Sequence, residues 1–154
     1  MFYDTTCSLL LHPKPLGEQG KGWWVVAEGD PQLGKYLRKL YAYSTWHSSL
    51  LIRPAWQDHI TIVRNEIVNI DDGAVERFFR KWSGQKVEVR ILLTPETNGK
   101  YWWLSCYSEA CKVLRRDLGL AGEPLVPLHL SFGHTGVNSD SKRSEKADES
   151  SEGA

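Results

Sequence analysis

The sequence predicts an α+β domain with a two-lobed plan, and three observations predict it. Segments with the two-residue alternation of strands are interleaved with segments of helical spacing. Two short apolar strands, 58–62 and 128–132, each set a histidine two residues before a hydroxyl, as His59-Ile60-Thr61 and His129-Leu130-Ser131. Each is entered from a helix-like stretch followed by a loop, so the second half of the chain repeats the plan of the first. A chain of 154 residues is long enough for one domain with a real core and too short for two comfortable ones.

The elements run in order along the chain. Residues 2–11 and 23–28 read as strands, separated by a Pro/Gly-rich stretch at 12–22. Asp30 is suited to cap a helix with Pro31 at its first position, and Leu33, Tyr36, Leu37, Leu40 and Tyr41 come next at helical spacing. A loop at 44–56 leads into the first histidine strand. A second helix starts at Asp71 or Asp72, carries Val75, Phe78, Phe79 and Trp82 on one face, and ends at Gly84. Segments 86–94 and 100–107 are expected to pair as a hairpin: Val87, Val89, Ile91 and Leu93 alternate, and Asn98-Gly99 supplies the turn chemistry. Ser108 can cap a third helix bearing Cys111, Val113, Leu114 and Leu118, stopped by Gly119, with Arg115 and Arg116 read as its exposed face. A loop at 122–124 leads into the second histidine strand. Residues 137–154, rich in Ser, Glu, Lys and Asp, are expected to be a disordered tail, leaving 1–136 as the domain.

Composition narrows the function. Apolar residues make up 41% and charged residues 25% of the chain, near the soluble globular average. Nineteen basic residues balance nineteen acidic ones, whereas proteins that grip long nucleic acids usually carry a basic excess. A small cyclic nucleotide or short oligonucleotide is therefore the expected partner, rather than a long polymer. Cys7, Cys106 and Cys111 lack metal-ligand spacing and read as reduced thiols of a cytoplasmic protein, with Cys106 and Cys111 in the core. No apolar run approaches a membrane span, and no basic region precedes the first apolar stretch as in a signal peptide.

The chemistry lies in the two histidine strands. Side chains at i and i+2 share a face, so each strand presents an imidazole and a hydroxyl on one side, while Ile60, Ile62, Leu128, Leu130 and Phe132 pack on the other. Histidine titrates near neutral pH as a residue type. One imidazole can take a proton from an attacking oxygen while its partner gives one to a leaving oxygen, each transfer contributing on the order of 10²–10⁴-fold. Thr61 and Ser131 can hydrogen-bond the non-bridging oxygens of a phosphate. Neither metal nor cofactor is called for. Which histidine is base and which is acid stays open. Of Tyr101, Trp102 and Trp103 at least one ring is core, and Tyr101 or Trp103 can stack on a base. Arg90, opposite the helix-packed face, can be aimed at phosphate. His134 is read as a loop residue past its strand that can line the mouth of the site, and Arg64 falls off the His59 face by strict alternation. His12 and His47 sit in loops without an evident partner.

With His59-Ile60-Thr61-Ile62 and His129-Leu130-Ser131-Phe132 in place, the chain resembles the 2H phosphoesterase superfamily, whose signature is two His-x-Thr/Ser motifs in pseudo-symmetric lobes around a central cleft. Among its branches it looks most like the phage anti-CBASS cyclic-oligonucleotide phosphodiesterases. The stretch from Ser108-Glu109 through Leu118-Gly119-Leu120 to Pro127-Leu128-His129 is similar to their final helix and strand. In that branch the segment after the second motif helps hold the base, whereas here it is the polar tail. The resemblance implies antiparallel sheets around a cleft, with His59, Thr61, His129 and Ser131 as catalytic residues. It also implies a metal-independent phosphodiesterase that opens 3′–5′ bonds of cyclic oligonucleotide messengers in the host cytoplasm. Opening of 2′,3′-cyclic phosphates on RNA ends, or a silent nucleotide- or RNA-binding role, are the competing expectations.

Overall fold

A computed structural model describes residues 1–11, 22–45, 50–54 and 58–136. The elements are β1 (Phe2–Leu11), β2 (Trp23–Glu28), α1 (Pro31–Ser44), β3 (His59–Glu66), α2 (Asp72–Trp82), β4 (Lys86–Leu92), β5 (Glu96–Thr97), β6 (Tyr101–Tyr107), α3 (Glu109–Asp117) and β7 (His129–His134). The expectations for the Pro/Gly stretch at 12–21, for His12 and His47, and for the tail at 137–154 lie outside the described residues.

The helix starts obey the capping chemistry. Asp30 accepts from the Gln32 N–H with Pro31 in the first turn, Asp71 from Ala74, and Ser108 from Cys111, each satisfying a donor the helix leaves open. Gly119 ends α3 at φ 75°, where its N–H reaches the Arg116 carbonyl and Leu120 N–H reaches that of Arg115. A side chain other than glycine would be strained there.

All strand pairs are antiparallel, in the order β4-β1-β2-β3-β7-β6-β5, and β4 also pairs with β6. Six strands thus close into a barrel-like ring, with the two-residue β5 lying outside on β6. The expected pairing of 86–94 with 100–107 is present, with Arg90 opposite Tyr107 and Ile91 opposite Cys106, and β5 is set into the connection. Asn98-Gly99 does turn the chain, but between β5 and β6. Pro95 lacks an N–H and restricts Thr94 before it, so the first strand stops at Leu92. The whole of β4 pairs with β1, from Phe2 opposite Leu92 to Ser8 opposite Lys86.

One face of the sheet carries the core. Cys7, Ala27, Ile60, Val87, Leu104 and Leu130 pack there with Leu37 of α1, Phe78 and Trp82 of α2, and Cys111 and Leu114 of α3. Ile62, Leu128 and Phe132 are buried as expected. The helix readings change at four positions. Tyr36 and Leu40 of the α1 pattern are exposed. Val113 is exposed, and Arg115 is 2% exposed rather than on a solvated face. The core thiols are free and buried, and burial pushes Cys7 up to about 11 and Cys106 to about 12. No helix among the described residues is long and apolar enough to cross a membrane.

Candidate active site

The two histidine strands are neighbours, and their register is set by Ile60 opposite Leu130. Extending this antiparallel ladder one residue each way puts His59 across from Ser131 and Thr61 across from His129. Each histidine therefore faces the other strand's hydroxyl, with all four side chains on the face away from the core. Directly opposed side chains stand roughly 4.5–5.5 Å apart at Cβ and diagonal ones roughly 7–8 Å. The two imidazoles are diagonal, which leaves room for a phosphate between them.

The flanking strands widen the patch. Glu28 of β2 lies opposite His59 and Val26 opposite Thr61. On β6, Ser105 lies opposite His129 and Trp103 opposite Ser131. Ser105 Oγ donates to the Glu96 carboxylate. The Nδ1 of His129 lies 2.8 Å from the Pro127 carbonyl. A carbonyl can only accept, so Nδ1 carries the proton and Nε2 is left to face the site, as a base when neutral or an acid when charged.

Both strands bulge immediately after the hydroxyl. In β3, Thr61 pairs with Val26 and Val63 with Val25, leaving Ile62 as the extra residue. In β7, Ser131 pairs with Trp103 and Gly133 with Trp102, leaving Phe132 extra. Each bulge carbonyl is held by a helix arginine. Arg115 Nη1 of α3 donates to the Ile62 carbonyl at 2.9 Å, and Arg38 Nη1 of α1 donates to the Phe132 carbonyl at 2.9 Å. Arg115 also binds both oxygens of Glu66, at 2.6 and 2.8 Å, and this bond holds the Glu66 carboxyl below its ordinary range. Arg38 lies 3.7 Å from the carboxylate of Asp58, which is 4% exposed. Burial raises Asp58 against the opposing pull of Arg38. A Cβ on Gly34 would collide with that carboxylate, so only glycine lets α1 come this close to the residue before His59.

The bulge in β3 corrects the strict-alternation reading of Arg64, and the full length of β7 corrects the loop reading of His134. A bulge adds a residue and re-aims the side chains beyond it. Arg64 consequently pairs across from Trp24 on the histidine face, with its guanidinium 6.0 Å from the Trp24 ring centre. His134 is the last residue of β7 rather than a loop residue. It exchanges backbone hydrogen bonds with Ile52 and lies across from Tyr101 on the same face, with ring centres 6.0 Å apart. The doublings of apolar residues at Ile62-Val63 and Phe132-Gly133 are the sequence trace of these shifts. Trp102 packs against the core beside Tyr41, at 4.9 Å, which leaves Trp103 at the site.

Arg90 is placed differently from its neighbours. It shares the histidine face through the register of β4, but its guanidinium binds both carboxylate oxygens of Asp4, at 2.8 and 3.3 Å. That pair lines a groove of about 1100 Å³ with Thr6, Lys86, Glu88 and Tyr107, one that does not include the histidines. A smaller cavity of about 160 Å³ lies among Lys35, Arg38, Arg53 and Asp58. Among the described residues, no three His, Cys, Asp or Glu side chains gather as metal ligands. No family model, curated protein or solved structure matches the chain.

Proposed function

We propose that this chain is a metal-independent phosphodiesterase that cleaves 3′–5′ bonds of small cyclic oligonucleotides. One observation carries the reading: the Ile60–Leu130 register gathers both histidines and both hydroxyls into one patch on the helix-free face. Structural histidines have no reason to meet in this way, each opposite a hydroxyl of the other's strand. The matched bulges and matched arginine contacts support a pseudo-symmetric, two-lobed plan. The three helices pack on the other face of the sheet, and a ring of six strands is too narrow to hold them inside, which supports reading the histidine face as the lining of a cleft.

The ribose 2′-hydroxyl gives its proton to one imidazole and attacks the adjacent phosphorus. The bond from phosphorus to the 5′-oxygen breaks, and that oxygen takes a proton from the second imidazole, leaving a 2′,3′-cyclic phosphate. Water opens this product with the two roles exchanged, which restores the starting protonation. We assign the acid to His59, beside the Glu28 carboxylate, and the base to His129, whose Nδ1 is held by a carbonyl and whose cross-strand neighbour is a neutral serine. Thr61 and Ser131 donate to the non-bridging oxygens as charge builds on them. Acting on a cyclic messenger of antiviral signalling would place the enzyme in the cytoplasm of the signalling cell.

The test is a panel of cyclic dinucleotides, cyclic trinucleotides and 2′,3′-cyclic mononucleotides incubated with the protein in EDTA. Cleavage is expected with a bell-shaped pH profile. His59→Ala and His129→Ala should each lose ~10²–10⁴-fold in turnover, and the double variant should be little worse than the poorer single one. Near-parental rates in both single variants would sink the assignment. Exclusive opening of 2′,3′-cyclic mononucleotides would move the substrate to RNA ends, and loss of turnover on chelation, restored by one ion, would refute the metal-free chemistry.

A further inference from the structure

We propose that Trp24 with Arg64, and Tyr101 with His134, form two nucleoside subsites on either side of the histidine pair. The ligand is then a phosphodiester with a nucleoside on both sides rather than a terminal phosphate. This assignment rests on the phosphodiesterase reading for its placement of the phosphate.

The geometry of the two bulged strands carries it. In each strand, the fifth residue after the histidine returns to the histidine face because the bulge adds one residue between them. In β3 that residue is Arg64, opposite Trp24; in β7 it is His134, opposite Tyr101. The Arg64 guanidinium lies 6.0 Å from the Trp24 ring centre, and the His134 and Tyr101 ring centres are 6.0 Å apart. Because the strands run in opposite directions, the pairs lie on opposite sides of the Ile60–Leu130 midpoint. Each is four residues from it, or roughly 13 Å at ~3.3 Å per residue. A phosphate held between the histidines would send its two nucleosides toward these two ends.

The chemistry of each end fits a base. Bases stack on aromatic rings and on guanidinium planes, and every base has a face to offer. Arg64 is exposed, and among the described residues no acidic side chain forms a salt bridge with it. Arg38, Arg90 and Arg115, in contrast, are paired with Asp58, Asp4 and Glu66. Arg64, backed by Trp24, thus offers a flat cationic plane that also suits a neighbouring phosphate. At the other end His134 offers the flat ring beside Tyr101, and the Lys100 ammonium over the Tyr101 ring at 5.1 Å supplies the cation.

The deoxydinucleotide d(ApA) separates binding from chemistry, because without a 2′-hydroxyl it cannot be cleaved by the proposed route. Titration calorimetry is expected to show binding by the parent protein, weakened roughly tenfold or more in Trp24→Leu, Arg64→Ala and Tyr101→Leu. The exposed Arg80→Ala should bind as the parent does. Arg64→Ala removes a surface side chain, so it keeps the test valid if Trp24→Leu misfolds. No binding at millimolar d(ApA), or parental affinity in Arg64→Ala and Tyr101→Leu, overturns the subsites. Cleavage of the ribodinucleotide ApA reads the chemistry independently. If neither ApA nor the cyclic dinucleotides and trinucleotides are cleaved but d(ApA) shows the expected losses, the subsites stand and the enzyme reading falls. If ApA is cleaved and d(ApA) affinity is insensitive to all three substitutions, the reverse holds.

Discussion

Replacing Arg115 by methionine tests how the first histidine strand is held in shape. Arg115 is 2% exposed, and its guanidinium donates to the Ile62 carbonyl at 2.9 Å, the Ala121 carbonyl at 2.7 Å and both oxygens of Glu66. Methionine keeps much of the apolar stem's packing and removes every donor. The Ile62 carbonyl is buried and would be left without its partner, and a hydrogen bond to a charged group is worth ~1.5–3 kcal/mol. The Ala121 carbonyl lies nearer the surface and adds ~1 kcal/mol. Glu66, with a side chain 31% exposed, recovers hydration and adds little. The sum is about 2.5–4 kcal/mol, a large share of the ~5–15 kcal/mol that holds a domain folded. At ~2–4 °C per kcal/mol for a chain of this size, Tm should fall by about 10 °C. Below that transition, the loosened bulge should misplace Thr61 and Arg64 and lower kcat/KM by ~10-fold or more. Scanning calorimetry and initial rates read the two effects. A Tm within ~2 °C of the parent would show that the bulge does not depend on this arginine.

The same contacts make other outcomes measurable. Gly34→Ala should destabilise by ~2–3 kcal/mol in urea titrations, because the new methyl meets a buried carboxylate; an unchanged midpoint would mean that α1 shifts freely away from Asp58. The three cysteines should resist a thiol reagent in the folded protein and react together on unfolding, since all are buried and Cys7 and Cys106 are shifted up to about 11 and 12; rapid labelling of the native protein would contradict this. Glu66 is depressed in the folded state, so its contribution is present above the ordinary carboxylate pKa and is lost as pH falls through the depressed value. Glu66→Gln should therefore flatten the acid limb of a stability–pH curve. Asp58 is raised by burial, so the native state loses stability as pH rises from the ordinary carboxylate pKa through the raised one. Asp58→Asn should gain on the parent over that rise, and a parallel pair of curves would refute it.

Much of this molecule is legible in local sequence. The caps at Asp30, Asp71 and Ser108 are satisfied within three residues, and strand alternation places Ile60 and Leu130 on the core side and the histidines opposite. Such signals are complete in a window of a few residues, because they depend on backbone geometry and on which side chains avoid water. The α+β class, the positions of the helices and the two histidine strands are therefore written in the chain itself.

Where those strands meet, and how they depart from regularity, is settled only in three dimensions. The pairing of β3 with β7 brings together residues 70 apart (59 to 129), and no local pattern specifies it. A bulge exists only relative to a partner strand, so strict alternation puts Arg64 on the wrong face. Likewise the pairing of His134 with Tyr101 and Ile52, which extends β7 past its apolar run, is made by distant residues. The helical pattern likewise placed Arg115 in water, since its acceptors, the Ile62 carbonyl and Glu66, come from a distant strand. Pairing register and buried charge are set by groups far apart in the chain, so the shape of the site became determinate only when the sheet closed.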